Sequence, residues 1–197
     1  EHAFHREKGR RGESQSHVRK TMSDGQPLIA SVIPVFNEAS YIGECLDSLI
    51  AQTLPAEQHI VLVLDGGSTD TTQVEVSKAI KRSKKVNGPI IELHSNPQKY
   101  VAEARNLALS LLPDSVQFTV ELIGHSTVDA DHLEIRMKEW KRIESSSTAP
   151  LAAVGTRVKP RKGDHGMVES WIEGTLSSPL GSGSGQFDNF TASGPTN

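Results

Sequence analysis

The sequence predicts an α/β fold built on a parallel β-sheet, and two observations lead to this class. Short, nearly continuous apolar runs have the composition of strands that are buried on both faces of a sheet. These runs alternate along the chain with segments whose apolar residues recur at helical spacing. Such strand and helix alternation favours parallel strands joined by right-handed crossovers. A chain of 197 residues has room for one domain of this kind with an appended tail.

The first two predicted strands are the clearest. Residues 28–35 and 59–64 are apolar runs, and each is followed at once by polar residues. A helix follows the first strand, with an apolar stripe formed by Ile42, Cys45, Leu46, Leu49 and Ile50. Because Cys45 falls on that stripe, we interpret it as a small core residue and not as a nucleophile.

The remaining elements follow in the same alternation. A second helix is predicted over residues 71–84, with Ser68 or Thr69 as its cap. The later predicted strands are residues 90–94, 118–123 and 152–158. Two later helices are indicated by apolar residues at helical spacing, the first by Val101, Ala104, Ala108 and Leu111 and the second by Leu133, Met137 and Trp140. A last short helix is predicted over residues 167–175. Three regions result: a polar, disordered tail over 1–26, the α/β domain over 27–176, and a Gly/Ser-rich loop over 177–197.

Composition excludes several classes of function. With 21 basic and 24 acidic residues, the chain has no general attraction for nucleic acid or for an acidic membrane surface. The single cysteine excludes an internal disulfide and a cysteine-based zinc site, and it fits a reducing compartment. No apolar run approaches the roughly 18 residues that span a bilayer, and no secretory leader is evident. A cytoplasmic location is therefore predicted.

Candidate functional residues lie after the predicted strands, because ligands of open parallel sheets bind at the carboxyl ends of the strands. These residues are Asn37 and Glu38, then Asp65, then Asn96, and finally Gly124, His125 and Ser126. The Asp65 carboxylate can accept from a pyrimidine imide or a ribose hydroxyl, and Gly66 and Gly67 would let a ligand approach the backbone. The helix that follows favours an anion at its N-terminus. The same turn could equally be only a strand-to-helix connection.

Three segments in order resemble family 2 glycosyltransferases of the GT-A type. They are residues 31–38 (SVIPVFNE) with 44–49 (ECLDSL), residues 65–70 (DGGSTD) and residues 104–106 (ARN). A closer resemblance is to the succinoglycan-type exopolysaccharide glucosyltransferase subgroup, through residues 124–126 (GHS) and 178–183 (SPLGSG). The resemblance covers residues 28–197 and implies a Rossmann-like nucleotide-sugar-binding domain that is truncated at its C-terminal end.

The resemblance implies a donor, an acceptor and a set of site residues. Family members bind a nucleoside diphosphate sugar, here expected to be a UDP-sugar, usually with Mg²⁺ or Mn²⁺. They transfer the sugar with inversion to a glycan or lipid-linked acceptor. The implied donor-binding residues are Pro34, Asn37, Glu38, Asp65, Gly66, Arg105 and Gly124. Asp65 would hold the base, and Arg105 would reach the base or a phosphate unless it is only a surface arginine.

The chain departs from the family pattern at two places. Ile123 stands where the family has the first carboxylate of its metal motif, which leaves His125 and, a few residues on, Asp129 as candidate ligands. A lone histidine suits Mn²⁺ or Zn²⁺ better than Mg²⁺, and His125 could instead donate to a phosphate. In addition, no acidic residue matches the family's general base, which would follow residues 178–183 together with membrane helices. The complete protein could therefore lie at the inner face of the membrane.

Two other classes compete with the transferase hypothesis. The loss of the metal-site carboxylate and of the base is compatible with a non-catalytic nucleotide- or sugar-binding module. A nucleotidyltransferase is disfavoured, because the chain has no glycine-rich, lysine-bearing phosphate loop near its N-terminus.

Overall fold

The structure, a computed structural model, describes residues 26–155, which form a parallel sheet with helices on both faces. These residues divide into two compact units, one up to Arg136 and one from Met137, and each is described by itself. The first unit contains the strands β1 (Ile29–Val35), β2 (His59–Asp65), β3 (Ile90–Ser95) and β4 (Phe118–Glu121). Their order in the sheet is β3-β2-β1-β4, and every pair is parallel. The predicted α/β class is confirmed.

The helices alternate with these strands. They are α1 (Ile42–Ile50), α2 (Thr72–Lys85), α3 (Val101–Leu111) and α4 (His132–Ser146), with a short 3-10 turn at Ala56–Gln58. The ends of the four strands and of α2 lie within two residues of the predicted ones. No helix among residues 26–155 is long and apolar enough to cross a membrane.

The second unit corrects one predicted element. It contains the end of α4, and residues 147–155 that follow have neither helix nor strand. The strand predicted over 152–158 is therefore wrong for 152–155, where residues 152, 153 and 155 are exposed and offer no buried face. Residues 1–25 and 156–197, with the predicted tail, the helix at 167–175 and the Gly/Ser-rich loop, lie outside the described residues.

The central strand β2 explains why its sequence is a continuous apolar run. All seven of its residues are buried, and successive side chains point to opposite faces. Val61 and Val63 pack with residues of α1 and α2, whereas Leu62 and Leu64 pack with Ala104 and Ala108 of α3. Both faces are thus covered by helices.

The titratable side chains of Cys45 and His59 are both buried in this core. Cys45 is 1% exposed, and burial, with a smaller effect of Glu38, raises the pKa of its thiol to about 12. The prediction that Cys45 is a core residue is confirmed. At the amino-terminal end of the sheet, Ser31 Oγ lies 2.9 Å from His59 Nε2, and burial lowers the pKa of His59 to about 4. His59 is therefore neutral in the folded protein near neutral pH.

Pro34 lies near the end of β1 at a position where a proline costs no ladder hydrogen bond to β4. The pairing of β1 with β4 ends at Val32, opposite Glu121, whereas the pairing with β2 continues to Val35. A proline lacks the N–H group that a sheet interior requires, so it is tolerated where the neighbouring strand has already ended. The last three residues of β1 therefore have no ladder partner in β4.

Candidate functional site

The connections that follow β1 and β2 are joined by hydrogen bonds at the carboxyl edge of the sheet. Three successive backbone N–H groups donate to side chains of the second connection and of the first residue of α2. The bonds run from Asn37 N to Ser68 Oγ (2.9 Å), from Glu38 N to Thr72 Oγ1 (2.8 Å) and from Ala39 N to Asp70 Oδ2 (3.1 Å). Asn37 has a φ of +55°, which asparagine tolerates better than most residues. The two connections therefore form one structural unit.

This arrangement corrects the predicted cap of α2. Neither Ser68 nor Thr69 caps the helix: Thr71 precedes α2 and makes no side-chain capping bond. The hydroxyl of Ser68 accepts from the N–H of Asn37 while donating to Asp65, and the backbone N–H of Thr69 donates to Asn37 Oδ1 at 2.8 Å. These groups therefore link the two connections instead of closing the helix end.

Asp65 is the last residue of β2 and is 2% exposed. Its Oδ1 accepts from the backbone N–H of Ser68 at 3.1 Å and from Ser68 Oγ at 2.5 Å. Its Oδ2 accepts from Gln73 Nε2 at 2.6 Å and, at 3.3 Å, from the backbone N–H of Ser68. Gln73 is itself exposed. Asp65 thus fixes its own loop through Ser68, while its second oxygen is bonded to a side chain that can move away.

The two glycines after Asp65 serve different purposes. A Cβ on Gly66 would lie 3.3 Å from the carbonyl oxygen of Lys99 and 3.4 Å from that of Val35. The close approach predicted for a ligand at Gly66 is therefore made in this structure by the protein's own backbone. Gly67 has a φ of +82°, a conformation that a residue with a side chain rarely adopts.

Glu38, Gly124 and His125 come together beyond the end of β4, as their positions in the sequence predict. A Cβ on Gly124 would lie 3.0 Å from Glu38 Cγ and 3.1 Å from Val35 Cγ1, so only a glycine leaves room for Glu38 there. Glu38 Oε1 lies 2.9 Å from His125 Nδ1. The Tyr41 ring meets the His125 ring edge-on, with centroids 6.3 Å apart. This cluster is partly exposed.

Arg105, on α3, forms an ion pair with Glu121, the last residue of β4. Its Nε donates to Glu121 Oε2 at 2.9 Å, and a terminal nitrogen donates to Oε1 at 2.6 Å. These bonds raise the pKa of Arg105 above its ordinary value. The bidentate ion pair with Glu121 would have to break before Arg105 could contact a base or phosphate. That contact remains a prediction.

The described residues do not form a cluster of three or more side-chain metal ligands. Among residues 26–155, no three His, Cys, Asp or Glu side chains gather closely enough to hold a metal ion. Of the two candidate ligands, His125 is paired through its Nδ1 with Glu38. Ile123, which the resemblance places at the position of the metal-site carboxylate, is 55% exposed. The chemistry considered below therefore contains no metal step.

Two residues at this edge were missed by the sequence analysis. Phe36 is 49% exposed directly after β1, and Lys99 Nζ lies 5.9 Å from the centroid of its ring. Phe36 belongs to the first motif, so its place in that motif was a usable signal. Nothing in the sequence marks Lys99, whose φ is +68°.

Comparison with known proteins identifies the family. Residues 31–161 match glycosyl transferase family 2, and the chain belongs to this family. It is 30% identical over 157 residues to the dolichyl N-acetyl-alpha-D-glucosaminyl phosphate 3-beta-D-2,3-diacetamido-2,3-dideoxy-beta-D-glucuronosyltransferase of Methanococcus voltae. This match covers 80% of this chain and 46% of the Methanococcus protein. It is 29% identical over 145 residues to the hyaluronan synthase of Pasteurella multocida, covering 74% of this chain and 13% of the synthase.

The fold also matches a solved structure. The crystal structure of S. aureus TarS 1-349 in complex with UDP superposes with a TM-score of 0.50 at 22% identity, over 58% of this chain and 32% of that one. At this identity the likeness shows the fold alone, and it is the α/β fold of family 2. The chain spans less than half the length of the relatives it matches.

Proposed function

We propose that this chain is the donor-binding part of an inverting glycosyltransferase. The proposed donor is a UDP-sugar, and the proposed acceptor is a glycan or a lipid-linked glycan. The observation that carries the proposal is the linked pair of connections after β1 and β2, which holds a buried carboxylate, Asp65, at the edge where ligands of parallel sheets bind. Family membership supports the reaction class.

The contacts of Asp65 suggest how a base would enter. The imide N–H of uracil would take the place of Gln73 Nε2 at Asp65 Oδ2, because Gln73 is exposed and can turn into solvent. Ser68 would keep its bonds to Oδ1, so the loop would not need to rearrange. Such a preformed acceptor lowers the ordering cost of binding. Pro34, Asn37 and Glu38 would border the nucleoside from the β1 side.

The proposed reaction is a single displacement at the anomeric carbon. A bond forms from the acceptor oxygen to that carbon, while the bond from the carbon to the diphosphate oxygen breaks with the electron pair leaving on the diphosphate. The acceptor proton passes to a general base that we do not assign to any described residue. Within the family, the GHS sequence at 124–126 supports the exopolysaccharide glucosyltransferase subgroup as the finer proposal. We place the reaction in the cytoplasm, at the inner face of the membrane for a longer protein with membrane helices.

Asp65→Asn tests this proposal with little disturbance of the fold. The new amide keeps an oxygen for Ser68, and Gln73 can rotate its own amide to offer an oxygen to the new NH₂ group. The variant no longer has a second acceptor for an imide N–H, so we expect its affinity for UDP to fall by roughly tenfold or more, the usual effect of losing a hydrogen bond to a charged group. Isothermal titration calorimetry with UDP and UDP-glucose measures this.

Asp47→Asn is the matched control, because Asp47 is an exposed carboxylate on α1 that pairs with Arg82. It should bind UDP as the wild type does. Wild-type protein that binds neither ligand, both without and with Mn²⁺, would overturn the proposal. Binding that appears only with Mn²⁺, and is lost in His125→Gln, would give His125 a ligand role.

A second candidate is a non-catalytic nucleotide- or sugar-binding module. Ile123 in place of the metal-site carboxylate favours it, as does the lack of a three-ligand cluster among the described residues. Donor turnover separates the two proposals. Release of UDP from UDP-sugars in the presence of acceptor glycans supports the enzyme, whereas tight binding without release supports the module.

A further inference from the structure

We infer that Lys99 is a nucleotide-binding residue whose ammonium donates to a carbonyl oxygen of a pyrimidine base stacked on Phe36. The inference rests on the proposed function and adds a recognition residue to it. It assigns to Lys99 the contact with the base that the sequence analysis gave to Arg105. Four observations support it: the pairing of Arg105, the position of Lys99, its backbone conformation and the exposure of Phe36.

Arg105 and Lys99 differ in whether an ion pair already holds the side chain. Arg105 is bound through two nitrogens to Glu121, at 2.6 and 2.9 Å. Lys99 is exposed and belongs to no salt bridge within 4.0 Å among the described residues. A ligand therefore reaches the Lys99 ammonium without breaking an ion pair, whereas recruiting Arg105 would first cost its bonds to Glu121.

The second observation is the place of Lys99 at the carboxyl edge. Its backbone packs against Gly66, the residue after Asp65, with its Cα 3.4 Å from where a Cβ of Gly66 would lie. Its Nζ lies 5.9 Å from the centroid of the Phe36 ring, at the end of β1. The side chain thus reaches from the β3–α3 connection across the end of β2 toward the end of β1.

The third observation is that the backbone of Lys99 is held in an unfavourable conformation. A φ of +68° is rarely adopted by a residue with a long side chain, and glycine is the residue normally found there. Neighbouring bonds fix it: the N–H of Lys99 donates to Asn96 O at 3.1 Å, and Asn96 Nδ2 donates to Tyr100 O at 3.1 Å. Asn96 is 3% exposed, and its own N–H donates to the Asp65 carbonyl. Backbone strain of this kind clusters at active sites and ligand-binding sites, where the surrounding structure holds it in place.

The fourth observation is the Phe36 ring, which is 49% exposed and faces the ammonium. A cation over an exposed aromatic ring contributes little by itself, since water competes for the charge. A planar base that stacks on the ring adds apolar contact, and the Lys99 ammonium would turn from the ring face to the edge of the base. Uracil has carbonyl oxygens on both sides of its imide N–H, so Asp65 would accept from the N–H while Lys99 donates to a neighbouring oxygen. Cytosine presents no such N–H and is expected to bind more weakly.

The test compares UDP and uridine binding by the complete chain and three variants. Lys99→Met removes the charge at similar length, and we expect it to lower the affinity for both ligands by about tenfold, because the contact is to the base. Lys99→Gly should lose the same affinity while raising the thermal midpoint, since glycine relieves the backbone strain. Lys81→Met, an exposed lysine on α2, is the control and should bind like the wild type.

Each alternative outcome has a distinct meaning. Wild-type affinity in Lys99→Met overturns the inference and leaves the proposed function standing. A loss for UDP without a loss for uridine also overturns it, because the lysine would then contact the diphosphate. If the wild type binds neither UDP nor uridine, the proposed function itself fails. Calorimetry serves for UDP, and ligand-observed NMR serves for the weaker uridine.

Discussion

Lowering the pH from 6.5 to 4 is expected to reduce the free energy of unfolding by about 3 kcal/mol through His59 alone. His59 is 1% exposed, and its burial lowers its pKa from the ordinary 6.5 to about 4. In this window the unfolded chain takes up a proton at His59 and the folded protein does not. The stability that His59 contributes is therefore complete above pH 6.5 and is lost as the pH falls through 4.

A second histidine acts in the same direction. His132 is partly buried, and its pKa is lowered first by burial and then by the neighbouring charge of Arg136, against smaller opposing effects of Asp129 and Asp131. Its stabilising effect is also lost on acidification below 6.5. The measured slope of stability against pH should therefore be somewhat steeper than His59 alone provides.

Urea unfolding at a series of pH values measures the effect, with His59→Gln as the test variant. Glutamine can keep a hydrogen bond to Ser31 but does not titrate, so the variant should lose much of the slope between pH 6.5 and 4. Below pH 3.8 both proteins should lose stability together, because the pKa of Asp70 is lowered by its bonds from Thr72 and Ala39. Equal slopes in the two proteins above pH 4 would contradict the assignment to His59.

The parts of the fold that could be predicted are those whose cause lies in the local sequence. The β2 segment is apolar at every position because helices cover both faces of that strand, and its composition alone shows this. The helix α1 is marked by the spacing of its four buried residues. Strand ends were found to within two residues because polar groups begin where burial stops. The position of the candidate residues at the carboxyl edge followed from the predicted topology, and their role in binding stays a prediction.

The errors and omissions concern partners that are distant in the sequence. The hydroxyl of Ser68 could cap a helix or bond a distant loop, and the choice depends on Asn37, 31 residues earlier. Similarly, the pairing of Arg105 with Glu121 depends on β4 lying beside β1 in the sheet order. The backbone conformation of Lys99 has no sequence signal, because the residue type argues against it. These three positions all lie at the carboxyl edge, where tertiary contacts override local preference.

Thr72→Val is expected to lower the free energy of unfolding by about 2 kcal/mol, because it removes one of the hydrogen bonds that join the two connections. Thr72 is fully buried, and its Oγ1 accepts from the N–H of Glu38 at 2.8 Å while donating to Asp70 Oδ1. Valine has nearly the same shape but no hydroxyl, so the Glu38 N–H loses its acceptor. Urea unfolding measures the cost, and faster hydrogen exchange at the Glu38 amide would locate it.

Thr72→Ser separates the hydrogen bond from packing. Serine keeps the hydroxyl and loses only a methyl group, for which about 1 kcal/mol is expected. If the two variants were equally destabilised, the methyl group and not the bond to Glu38 would be responsible. Glu38 also pairs with His125, so loss of the Thr72 bond should alter the environment of the His125 ring. We therefore expect the NMR chemical shifts of the His125 ring to change in Thr72→Val and to stay the same in Thr72→Ser. A residue at the start of α2 would then control the geometry on the opposite side of the candidate site.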